Sequence, residues 1–136
     1  MAGETDLRRL LCGMDPRLEP VPYGYVTLAP GRSVPPGLVP FASVAEDEGL
    51  TLVAPAAALA DAGLPPGPPW ARISLAVQSD LAAVGLTAAF AAALADVGIS
   101  ANVIAGFHHD HLFVPWPRRE AAVAALVALA GSAADG

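Results

Sequence analysis

Val84-Gly85-Leu86-Thr87-Ala88-Ala89-Phe90-Ala91-Ala92-Ala93-Leu94-Ala95-Asp96-Val97-Gly98-Ile99-Ser100 is the stretch on which the reading of this chain turns. Leu86, Phe90, Ala93, Leu94 and Val97 recur at helical spacing and form one apolar stripe. Gly85 stands at the start of that helix and Gly98 at its end. Upstream, Ile73, Leu75 and Val77 alternate with Arg72, Ser74, Ala76 and Gln78, the pattern of a strand that buries one face. Downstream, Ile99, Ala101, Val103, Ala105 and Phe107 alternate with Ser100, Asn102, Ile104, Gly106 and His108. His108-His109-Asp110 predicts the next turn, and Leu112-Phe113-Val114 the returning strand. Pro117 opens a last helix with a buried stripe of Val123, Leu126, Val127 and Ala130. Gly131 is expected to close it, leaving residues 132–136 as a frayed tail. Ala71 to Leu129 therefore spells one β-α-β-β-α unit.

The first half is built differently. Thr5 is placed to cap a short helix through Leu10 and Leu11, which Gly13, Pro16 and Pro20 break. Tyr23–Ala29 alternates as a strand. Pro30 to Pro40 excludes a helix, because four prolines remove donors and fix the backbone. Phe41–Ala45 and Leu50–Ala54 read as a hairpin joined at Glu46-Asp47-Glu48-Gly49. Pro55 suits a helix start, Ala56–Ala62 continues it, and Gly63 ends it. Pro65-Pro66-Gly67-Pro68-Pro69 is a stiff linker. The expected division is thus 1–64, a linker at 65–70, a second domain at 71–131, and the tail. The halves compare as β-ββα and β-α-ββα, an α+β class in both cases, with a loop standing where the first half lacks a helix.

Composition excludes several functions. The formal charge of -6 argues against a nucleic-acid partner, which requires clustered positive charge. All the basic residues are arginine. Cys12 is the sole cysteine, so no internal disulfide forms. The acidic start of the chain is unlike a signal peptide, which makes a cytoplasmic location the expectation. The longest apolar stretches, 81–95 and 121–130, fall short of the roughly 20 residues a membrane-spanning helix needs. No Gly-x-Ser-x-Gly, P-loop or dinucleotide fingerprint is present, and no nucleophile stands beside a base. The sequence names no catalytic residue and no cofactor.

Across Val84–Ser100 the chain resembles an ACT domain. The residues that carry the resemblance are Gly85-Leu86 at the helix start and Gly98-Ile99 at its end. Asn102-Val103-Ile104-Ala105-Gly106 and His109-Asp110-His111-Leu112-Phe113-Val114-Pro115 extend it. That longer run is similar to small bacterial proteins with two ACT-like halves, and in plan to the paired ACT domains of arginine sensors. Val84, where many ACT domains carry proline, departs from the pattern, as does the first half. The resemblance implies a ferredoxin-like fold and a regulatory role, with an amino acid or similar small zwitterion bound where the first strand becomes a helix. Carried onto this chain, that junction is Ser79, Asp80, Val84, Gly85, Leu86 and Thr87, with Asn102 on the next strand and Ser43 of the first-half hairpin as further contacts. Helix-start amides favour a carboxylate, and Asp80 suits an ammonium group. A homodimer is the expected assembly.

Each of these residues also has a structural reading. Gly85 suits tight helix packing, Ser79 and Asp80 suit caps, and Asn102 suits an interface. His108-His109-Asp110-His111 has the composition of a metal site, but neighbours along a strand point to opposite faces, so no metal ligand is assigned. Arg118 and Arg119 stand at a helix start, where the dipole disfavours cations. The alternatives to ligand binding are a protein-interaction or dimerisation module and, after it, a metal-dependent protein using that histidine turn.

Overall fold

The computed structural model describes residues 6–78 and 80–135. Thr5 and Ser79 lie outside the described residues. In chain order the elements are α1 (Leu7–Cys12), β1 (Pro16–Leu28), β2 (Ala42–Glu46), β3 (Gly49–Pro55), α2 (Ala56–Asp61) and β4 (Trp70–Leu75). They continue with α3 (Leu86–Asp96), β5 (Asn102–Ala105), β6 (Asp110–Pro115), a 3-10 turn at Trp116–Arg118, and α4 (Arg119–Asp135). This is the expected α+β order in both halves.

Two units emerge, one of Met1–Glu19 with Ala71–Gly136 and one of Pro20–Trp70. In the first, hydrogen bonding runs β1-β4-β6-β5. The β-α-β-β-α element order of 71–135 lacks the last strand of a ferredoxin-like βαββαβ unit. The opening residues of β1 fill that position beside β4. Helices α1, α3 and α4 pack over the sheet face that carries Ala71, Ile73, Leu75, Leu112 and Val114. Leu10, Met14, Phe90, Leu94 and Leu126 fill the layer between and are fully buried. Removing a side chain such as Phe90 from such a layer costs about 3–5 kcal/mol.

The helix ends explain two expectations. Gly98 adopts φ +73, its N–H donates to Ala95 O at 2.9 Å, and Ile99 N–H donates to Leu94 O at 2.9 Å. That is a Schellman termination, with Ile99 buried behind it. Val97, expected in the buried stripe, is instead the half-exposed C-cap. Arg118 Nη2 donates to Val97 O at 3.0 Å, so the arginine at the start of one helix satisfies the end of another. Arg119 stacks over Trp116, 4.0 Å from the ring centroid.

Several boundaries differ from expectation. Asp6 caps α1, accepting from Arg9 N–H at 3.2 Å. β1 begins seven residues before Tyr23 because Pro16, Pro20 and Pro22 precede its pairing with β3, which starts at Tyr23↔Pro55. Their missing donors therefore cost nothing on that side. β4 ends at Leu75, since Ala76 N–H is taken by Met14 O at 2.8 Å. The hairpin turn is Gly106–His109, with Ala105 opposite Asp110 and Gly106 N–H donating to His109 O. α4 does not stop at Gly131 but runs to Asp135. Arg8 holds its last turn, donating from Nε to Ala133 O at 3.2 Å and from Nη2 to Ala134 O at 3.4 Å.

In the second unit the pairing is β2-β3-β1, antiparallel throughout, with Glu46 opposite Gly49 across a two-residue turn. Residues 30–40 form no helix or strand. They contribute Val34 and Leu38 to a core with Leu28, Leu52, Ala54, Leu59 and Leu64, so the loop takes over the packing a helix would supply.

Candidate functional site

The junction between β4 and α3 is shaped by two local constraints. Asp80 Oδ1 accepts from Ala82 N–H at 2.8 Å, and Asp80 O accepts from Ala83 N–H at 2.9 Å, which folds the chain back after the strand. Gly85 then takes φ +98, a left-handed conformation that side chains disfavour, and α3 begins. No side chain caps α3, so its first-turn amides have no side-chain acceptor. A Cβ on Gly85 would stand 3.1 Å from Leu7 Cδ2 of α1. The glycine is therefore demanded by its φ and by helix packing.

Beneath the junction lies a cleft of about 70 Å³. Asp80, Leu81, Ala83, Leu86 and Thr87 form one wall, and Ala105 and Asp110 of the β5–β6 hairpin form the other. It has room for the charged head of a small molecule. Asp110 dominates its chemistry. Only 8% of this residue is exposed, it is the one buried charged residue among those described, and no hydrogen-bond donor among the described residues reaches its carboxylate. Burial pushes its pKa up, and His109 opposes the shift.

Of the residues expected at the site, Asp80, Leu86 and Thr87 line this cleft. Gly85 precedes Leu86 but does not line it, and Val84 is 82% exposed. Asn102 is exposed on β5 opposite Phe113 and does not line it. Ser43 is exposed on β2, opposite Leu52, in the other unit. Asp110 was read as a turn residue. The signal for its true place was the alternation of β6: residues 110, 112 and 114 share one face, and Leu112 and Val114 are fully buried.

The four residues 108–111 diverge. His108 Nδ1 lies 3.1 Å from Gln78 Nε2, and His109 Nδ1 3.3 Å from Val77 O. Asp110 enters the cleft, and His111 Nδ1 shares a 2.8 Å hydrogen bond with Ser74 Oγ. Among the described residues no group of three or more His, Cys, Asp or Glu is arranged around a common ion. His111 is held neutral, its pKa lowered to about 4 by burial and by the charges of Arg72 and His109. Among the described residues no helix is long and apolar enough to cross a membrane.

Two family models described as ACT domain match this chain, one over residues 2–69 and one over 67–128. A Vibrio cholerae protein of unknown function, described as a possible transport protein, has a similar crystal structure with a TM-score of 0.78. It is 46% identical, and the match covers 87% of this chain and 91% of that one. An Agrobacterium tumefaciens protein has a similar fold, with a TM-score of 0.63 at 20% identity over 81% of this chain and 84% of the other. No curated protein matches the chain.

Proposed function

Because the chain belongs to the ACT domain family, whose members are typically small-molecule-binding regulatory modules, we propose that it is a non-catalytic regulator that binds an amino acid or a similar small zwitterion. One observation carries this reading: the nearly buried Asp110 carboxylate faces a cleft beneath the uncapped start of a helix. Burial raises the pKa of the Asp110 carboxylate, and a ligand ammonium group beside it favours the charged form. Asp80 offers a second carboxylate to the same group. The free amides at the start of α3 suit the ligand carboxylate, as does the positive end of the helix dipole. The small cleft takes the head group and leaves the rest of the ligand to be covered from outside, which fits a homodimer. A cytoplasmic setting accords with a chain whose only cysteine is unpaired.

The test is a thermal-shift screen of the twenty amino acids on the full chain. A ligand at about 100 times its dissociation constant adds roughly 2.7 kcal/mol. Asp110→Asn is expected to abolish the response while leaving the protein folded. A flat screen overturns the reading. A dimer-and-interaction module without small ligand is the second reading, and the exposed Leu81, Val84 and Phe107 favour it. Its signature is a flat screen together with a stable dimer by light scattering.

A further inference from the structure

Arg17, Ser74 and His109 meet, with Leu75 and Ala76, around an open pocket of about 320 Å³ in the first unit. No residue lines both this pocket and the cleft of Asp110. In a chain of formal charge -6, no carboxylate of the described residues lines it.

Its side chains are positioned by neighbours. Asp15 has φ +39, the one positive value at a non-glycine residue among those described. Its Oδ2 accepts from Arg17 Nη2 at 3.0 Å. That bond fixes one corner of the guanidinium and leaves Nε and Nη1 as donors. Backbone held in a sparsely populated conformation needs support, and residue 14 is tied to the pocket by the hydrogen bond from Ala76 N–H to Met14 O. Ser74 Oγ shares its hydrogen bond with His111 Nδ1. When the His111 proton sits on Nδ1, the serine oxygen accepts it and the hydroxyl hydrogen is free for a ligand. His109 directs Nδ1 at the Val77 carbonyl, so Nδ1 is the donor and Nε2 can donate to a bound oxygen only in the doubly protonated ring.

We propose that this pocket is a second binding site, for the carboxylate or phosphate group of a small molecule, in which Arg17 supplies the charge, Ser74 donates to a bound oxygen and His109 closes one side. The Asp15–Arg17 pair is solvent-exposed, at 64% and 70% of the side chains, and exposed pairs are weak enough for an entering oxyanion to compete. The site is independent of the amino-acid reading above.

The experiment is an NMR titration of the full chain with inorganic phosphate and, separately, with succinate, at ionic strength held constant with chloride. Saturable shifts are expected at the Arg17 side-chain Nε–H and the amides of Ser74 and Ala76. Arg17→Gln is expected to weaken binding by roughly tenfold, about 1.4 kcal/mol. Ser74→Ala gives a smaller loss. Asp110→Asn retains the affinity, which separates this site from the cleft. Response to phosphate alone assigns a phosphoryl ligand, and response to succinate alone a carboxylate. Shifts that rise linearly with either anion, or unchanged affinity in a folded Arg17→Gln variant, overturn the proposal.

Discussion

Asp110 and His111 are adjacent on β6 and respond to acid in opposite senses. The pKa of His111 is lowered from 6.5 to about 4, so between those values the unfolded chain takes up a proton that the native one refuses. Its contribution is present above pH 6.5 and is lost as the pH falls to about 4. The pKa of Asp110 is raised, so the native state holds that proton more readily and gains stability as the pH falls through the carboxylate range. Denaturant unfolding at a series of pH values is expected to show a flatter acid limb in His111→Asn. Asp110→Asn is expected to be more stable than the parent at neutral pH by about 1 kcal/mol, with the gain fading in acid. The same pair marks the limit of the sequence reading. Strand alternation carried back from Leu112 and Val114 gives residue 110 the core face, but the sequence reading placed Asp110 in the turn. Alternation was not enough to show that the hairpin turn closes before residue 110, because three polar residues in a row all read as turn. Gly85 was legible as a glycine with a purpose. Its φ and its contact with Leu7 depend on a helix that lies far away in sequence.

Two glycines show what element-level patterns can decide. Gly98 ends α3, whereas Gly131 lies inside α4. Ile99 follows the first and is buried, which favours the left-handed termination, but the residue after the second is the exposed Ser132. Gly131→Ala is therefore expected to stabilise the protein by about 0.5–1 kcal/mol in urea unfolding, since the new methyl meets nothing within 4 Å. Gly98→Ala is expected to destabilise it by about 1 kcal/mol despite equally open space, because its φ is +73. The buried face of α4 was read from sequence with one misplaced residue: Leu126, Val123 and Ala130 face the core as expected, and Val127 does not. Ala122 and Leu126 are fully buried, with Leu129 and Ala133 packed alongside, while Val127 is 54% exposed. An alanine-rich helix is apolar on every side, so periodicity does not fix its rotation. The helices docked against it do. In Pro30–Pro40 the reverse holds: prolines exclude a helix from sequence alone, and the structure agrees.

At the scale of the whole molecule, the order of elements was legible and the spatial grouping of the first helix was not. The Pro-rich segment at 65–69 divides the sequence by composition, yet α1 and the start of β1 belong with residues 71–136. Local patterns carry no information about which distant elements a short helix will join. Expressed alone, residues 71–136 are expected to lack cooperative unfolding, because Leu10, Leu11 and Met14 leave their core and the strand beside β4 is missing. Joining residues 6–19 to that fragment through a flexible linker is expected to restore a sigmoidal transition, measured by circular dichroism. β1 itself is one strand with residues in both units, and Arg8 bonds a carbonyl 125 residues downstream. Synthesis gives this arrangement a direction in time. α1 leaves the ribosome before residues 71–136, with its apolar side uncovered, and waits for α4 to be made. Residues 20–70 have their own core and can settle meanwhile. α1, made before that unit, is thus placed only after it.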